Sequence, residues 1–132
     1  MSRLGKILAT TTLVLSSQVA LAAPSFLITH NHTAFESNAF IDGAPKGSPY
    51  PTKAYADNSV SWLAVRMACI GHTTNNKCNA LIKMATNTPD VVTLGWLEMD
   101  LVSGEINPKE VQGNGYTLTV NGPGEVTLSQ DQ

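Results

Sequence analysis

Charge is scarce in this chain: Asp, Glu, Lys and Arg together make up 14% of 132 residues, and no cluster of Lys and Arg occurs. Without a basic patch nothing neutralises a phosphate backbone, which excludes nucleic acid as a partner. No run approaches the 18 apolar residues of a membrane-spanning helix, so the chain is not read as membrane-spanning. The signatures of nucleophilic and metal-dependent hydrolases, G-x-S-x-G, S-x-x-K and H-E-x-x-H, are absent, as are internal repeats and low-complexity tracts. No catalytic residue can therefore be named, and the chain reads more as a non-enzyme than as an enzyme. Cysteine occurs twice, as Cys69 and Cys78. Neither lies near residue 22, so the thiol that would carry a lipid anchor is missing and a lipoprotein is not expected.

Residues 1–22 read as a cleavable Sec-type signal peptide. Arg3 and Lys6 form a basic head, Ile7 to Leu15 an apolar stretch loosened by Thr10, Thr11 and Thr12, and Ala20-Leu21-Ala22 a small-x-small cleavage site. Cleavage leaves residues 23–132, enough for one domain. Loss of Arg3 and Lys6 reduces eight basic residues to six against ten acidic ones, a net charge of −4 with neutral histidines. The expected destination is secreted or periplasmic. In such an oxidising compartment two cysteines most simply pair, and a Cys69 to Cys78 bridge would contribute roughly 2.5–3 kcal/mol by restricting the unfolded chain.

Apolar residues recur with period two more often than with period 3.6, between turns rich in Gly, Pro, Asn and Asp, which predicts an all-β domain. Six or seven short strands fit a small antiparallel β-sandwich or a partly open barrel. The first runs from Ser25 to Phe35. Residues 42–57 carry Asp42-Gly43, Pro45, Gly47, Pro49 and Pro51 and form the longest irregular segment, the kind of ordered loop where binding is often found. Ser59 to Ile70 and Cys78 to Thr86 are expected to pair antiparallel, with Cys69 facing Cys78, Met67 facing Ala80, Val65 facing Ile82 and Leu63 facing Met84 on a buried face. Residues 79–85 could also make a short helix on propensity alone. In Val91 to Val102, Leu97, Met99 and Leu101 face one way and Glu98 and Asp100 the other. A last hairpin alternates Tyr116, Leu118 and Val120 with Thr117 and Thr119, turns at residues 121–124, and returns through Val126 and Leu128.

The predicted function is that of a small exported, disulfide-stapled β-domain working as a non-enzymatic binding or interaction module, or as a secreted factor. Its ligand would be a protein or a carbohydrate, met by an aromatic patch of Tyr50, Tyr55 and Trp62. The alternative is a metal-binding protein or metal-dependent hydrolase centred on His30 and His32. Residues i and i+2 of a strand share a face about 7 Å apart, so both imidazoles could reach one Zn or Cu ion, with His72 or Glu36 completing the shell. The first reading requires no cofactor. Three further features have bland explanations: Glu98 with Asp100 as a solvated strand face, Gly113-Asn114-Gly115 as a turn, and Ser48 as a loop serine. Asn31-His32-Thr33 matches the N-glycosylation sequon, which matters only in a eukaryotic source.

Overall fold

The computed structural model describes residues 22–132, so the signal-peptide reading of residues 1–22 falls almost wholly outside the described residues. Two sheets face each other. The first, sheet A, has the order β3-β1-β10-β9-β8, from β3 (Asp57–Ser61), β1 (Phe26–Asn31), β10 (Glu125–Gln130), β9 (Tyr116–Gly122) and β8 (Glu110–Gly113). The second, sheet B, has the order β2-β5-β6-β7, from β2 (Ser37–Ile41), β5 (Lys77–Met84), β6 (Val92–Asp100) and β7 (Ile106–Asn107), with β4 (Thr73–Thr74) also pairing with β5. Every pairing is antiparallel except β1 with β10, which is parallel and brings the two ends of the domain together. This is the small all-β sandwich expected from the alternation. It is built from ten strands among the described residues, because two-residue strands and the short β2 and β8 carry too little pattern to be read from sequence.

The core is made by the predicted inward faces. Cys78, Ala80, Ile82 and Met84 of β5 are buried, as are Leu97 and Met99 of β6, Tyr116 and Leu118 of β9, and Val126 and Leu128 of β10. Gly95 and Gly113 let β8 cross β6 at one edge of the sandwich. A Cβ at Gly113 would collide with the Leu94 carbonyl, and one at Gly95 with the Val111 side chain. That edge is closed. The opposite edge, between β3 of sheet A and β2 of sheet B, is spanned by residues 42–56, which are irregular as predicted but tied down. Ser48 N–H donates to Ala39 O at 2.8 Å, Asn38 Nδ2 donates to Ser48 O at 2.8 Å, and Thr52 exchanges two backbone bonds with Ser37.

The predicted pairing of residues 59–70 with residues 78–86 is not formed. Asp57–Ser61 is a strand, but it pairs with β1, and Trp62–Ala68 is a helix, α1. Ser61 caps it, its Oγ accepting from Ala64 N–H at 3.2 Å, and Leu, Ala, Arg and Met favour helix over strand. Burial follows helical spacing: Trp62, Val65 and Cys69 face the core. Leu63 is 67% exposed and Met67 61%, where the strand register had placed both inside. β5 instead pairs with β2 and β6. The Cys69–Cys78 disulfide does form, joining the C-cap of α1 to the start of β5 with Cα atoms 6.1 Å apart.

Candidate functional site

Period-two alternation on sheet B leaves one set of side chains for solvent, and the strand registers arrange them in rows. Phe40 lies opposite Leu81, and Leu81 opposite Trp96, so a single apolar row crosses β2, β5 and β6. With strands about 4.8 Å apart, that row spans roughly 10 Å. Trp96 is 51% exposed although it is the largest side chain type in the chain. Its indole lies over Gly43, where an added Cβ would come within 2.9 Å of the ring, and Lys83 Nζ sits 4.5 Å above the Phe40 ring. Polar rows flank the apolar one: Asn38, Lys83 and Thr93 on one side, and Asn79, Glu98 and Asn107 on the other. The amide of Asn38 is spent on Ser48, and Lys77 approaches Glu98 at 4.0 Å. Asn79, Thr93, Glu98 and Asn107 are exposed beside the row, while Lys83 is half-buried over the Phe40 ring. The alternation in β6 carried this signal, since Trp96 shares the face of Glu98 and Asp100, but its neighbours Leu81 and Phe40 come from pairings with β5 and β2 that leave no local trace in the sequence.

The expected patch of Tyr50, Tyr55 and Trp62 is not assembled. Trp62 is buried in the core, with its Nε1 donating to Leu101 O at 3.0 Å. Tyr55 is exposed at a positive φ of 54° in the loop. Tyr50 stands elsewhere, at the mouth of an apolar cleft of about 120 Å³ that enters between the sheets at their open edge. Leu27, Ala39, Val60 and Ala68 line it near the rim.

The histidines do not converge. His30 is held between two carboxylates, Nδ1 at 2.8 Å from Asp57 Oδ1 and Nε2 at 2.7 Å from Glu125 Oε2. Those hydrogen bonds, Asp57 first, raise its pKa above 6.5. Both ring nitrogens are occupied and the carboxylates lie on opposite sides of the ring. His32 is exposed beyond the end of β1, and His72 Nδ1 bonds Asp42 Oδ2 at 2.9 Å. Among the described residues no group of three His, Cys, Asp or Glu side chains is placed to hold a metal ion, and Glu36 accepts from the Thr86 hydroxyl at 2.6 Å.

Asn31, the sequon residue, is fully buried. Its Nδ2 donates to Phe35 O and Lys53 O at 2.8 and 3.1 Å, and its Oδ1 accepts from Thr33 N–H and Oγ at 3.0 and 2.8 Å. The folded protein does not offer this amide for modification. Ser48 Oγ donates to the amide oxygen of Asn38 at 2.6 Å, which is no base. Asp100 accepts from the N–H groups of Val102 and Ser103, and these bonds, Ser103 first, lower its pKa, the opposite of what a general acid needs. Residues 113–115 form the expected turn, with positive φ at Asn114 and Gly115.

These features define a small disulfide-stapled β-sandwich with an apolar row, Phe40, Leu81 and Trp96, on the outer face of one sheet. Residues 1–131 match the family of the type II secretion system substrate NttC, and the chain belongs to that family. It is therefore an exported protein. The crystal structure of the Legionella pneumophila type II secretion system substrate NttC is similar to it, with 52% sequence identity and a TM-score of 0.81 over 83% of this chain and 100% of that one. No curated protein matches the chain.

Proposed function

We propose that this protein is a secreted, non-enzymatic binding module that recognises a carbohydrate through the Phe40, Leu81 and Trp96 row of sheet B. The observation that carries the reading is the register that sets these three side chains side by side between two hydrogen-bonding rows. A sugar ring is apolar on its faces and polar at its rim, so it needs an aromatic platform with donors and acceptors beside it. The row accommodates about two rings. Three apolar side chains are few for a protein partner, whose footprint needs ~800 Å² on each side. The cleavable leader over residues 1–22 belongs to the same proposal, on its basic head, apolar stretch and Ala20-Leu21-Ala22 site.

A glycan array probed with the oxidised protein lacking residues 1–22 tests the reading, with Trp96→Ala as the control. The expected result is a defined set of oligosaccharides retained by the wild type and bound at least tenfold more weakly by Trp96→Ala. Retention that survives Trp96→Ala and Phe40→Ala together would remove this face from the account.

A further inference from the structure

A β-sandwich fills the space between its sheets to near-crystalline density, so an open cleft of about 120 Å³ inside this one is itself an observation. The cleft enters at the edge left open between β3 and β2. Its walls are Leu27 of β1, Ala39 and Ile41 of β2, Val60 of β3 and Ala68 at the end of α1. No charged side chain lines it. Polar side chains that line it include Thr29, Ser48, Tyr50, Thr52 and Asn58. Several are already used: Asn58 Nδ2 donates to Tyr50 O at 3.3 Å, and Ser48 Oγ to Asn38. Thr52 differs, since it is 95% buried by a relative exposure of 5% and its hydroxyl has no hydrogen-bond partner among the described residues. A buried hydroxyl without a partner costs stability unless something supplies one.

We infer that this cleft is a binding site for a small uncharged amphiphile, with a short alkyl chain or single ring between the sheets and a hydroxyl or carbonyl at the mouth near Thr52 and Tyr50. Size sets the tail: an apolar cavity of ~150 Å³ admits benzene, so about 120 Å³ holds a group of roughly six carbons. The lining sets the head. An ionised carboxylate or ammonium drawn to this mouth would lose water and meet no opposite charge, whereas a neutral hydroxyl can bond the polar rim. Residues 42–56 close over the tail, since Ser48, Tyr50 and Thr52 belong to that segment. This site is separate from the aromatic row on the outside of sheet B.

The test is a ¹H–¹⁵N NMR titration of the oxidised protein with 1-hexanol, and with hexanoate and hexylammonium as charged counterparts. Expected are saturable shifts confined to β1, β2, β3 and residues 48–52 with 1-hexanol, and at least tenfold weaker binding of both ions. Val60→Phe, which fills the cleft, should weaken 1-hexanol at least tenfold while keeping a dispersed, folded spectrum. Ala39→Leu serves the same purpose if Val60→Phe does not fold. No saturable shift in the folded wild type, or shifts centred on Phe40, Leu81 and Trp96 that Val60→Phe leaves unchanged, would overturn the inference.

Discussion

One imidazole ties three strands of sheet A together on its outer face. His30 sits on β1, Asp57 on β3 and Glu125 on β10, and the ring bonds both carboxylates at once. A neutral imidazole has one N–H, so only the protonated ring donates to both. The folded state therefore holds this proton more tightly than the unfolded chain, and the pKa lies above 6.5. The stabilisation is fully present below pH 6.5 and is lost as the pH rises through the raised value. Melting temperatures measured between about pH 5.5 and 8.5 should fall through this window for the wild type, and His30→Asn should remove that part of the slope. A wild-type profile no steeper than that of His30→Asn would show that the two carboxylates do not act on this ring. With 28% of its side chain exposed, the imidazole is open enough to exchange its proton freely.

At the scale of elements, α1 divides what could be read from sequence from what could not. Eight of the nine residues 62–70 are apolar, so the segment has no visible period, and a disulfide at Cys69 is as compatible with a helix end as with a strand. Only the Ser61 cap and the helix-forming composition pointed the right way. β5, β6, β9 and β10 were legible because each is buried on one face and wet on the other, which prints a period of two. The parallel pairing of β1 with β10 was not, since it joins residues nearly a hundred positions apart and leaves no local trace. The candidate site followed the same division. Trp96 was visible in the alternation of β6, but its alignment with Phe40 depends on a pairing of β2 with β5 that no short pattern announced. The helix gives a sharp test. Val65→Asp places an unpaired carboxylate in the core and should cost about 3 kcal/mol or more, while Met67→Lys on the exposed face should stay within roughly 0.5 kcal/mol, both by urea denaturation. Equal losses for the two would restore the strand.

The whole molecule is closed at one edge and open at the other. Where β8 crosses β6, the backbone of Gly113 meets that of Leu94 and the Val111 side chain fills the space over Gly95. Where β2 and β3 stand apart, the gap is bridged by α1 below and residues 42–56 above, and both depend on anchors outside the ladders: the disulfide for α1, and Asn31 with Asn38 for the loop. The disulfide therefore acts on the open edge as well as on the unfolded chain. It closes only a short ring of residues, and most of the core side chains come from the strands, so the reduced protein should still fold. Replacing Cys69 and Cys78 together by Ala, which buries no new polar group at these two core positions, should lower stability by roughly 2.5–3 kcal/mol. For a domain of this size that corresponds to a fall of about 10–20 °C in Tm. Because α1 is held to β5 through Cys69, the loss should also appear as faster amide hydrogen exchange in residues 62–70 than in β9 and β10. A uniform rise in exchange across all strands, with no excess in α1, would mean that the staple works only on the unfolded chain and has no local part in holding the open edge.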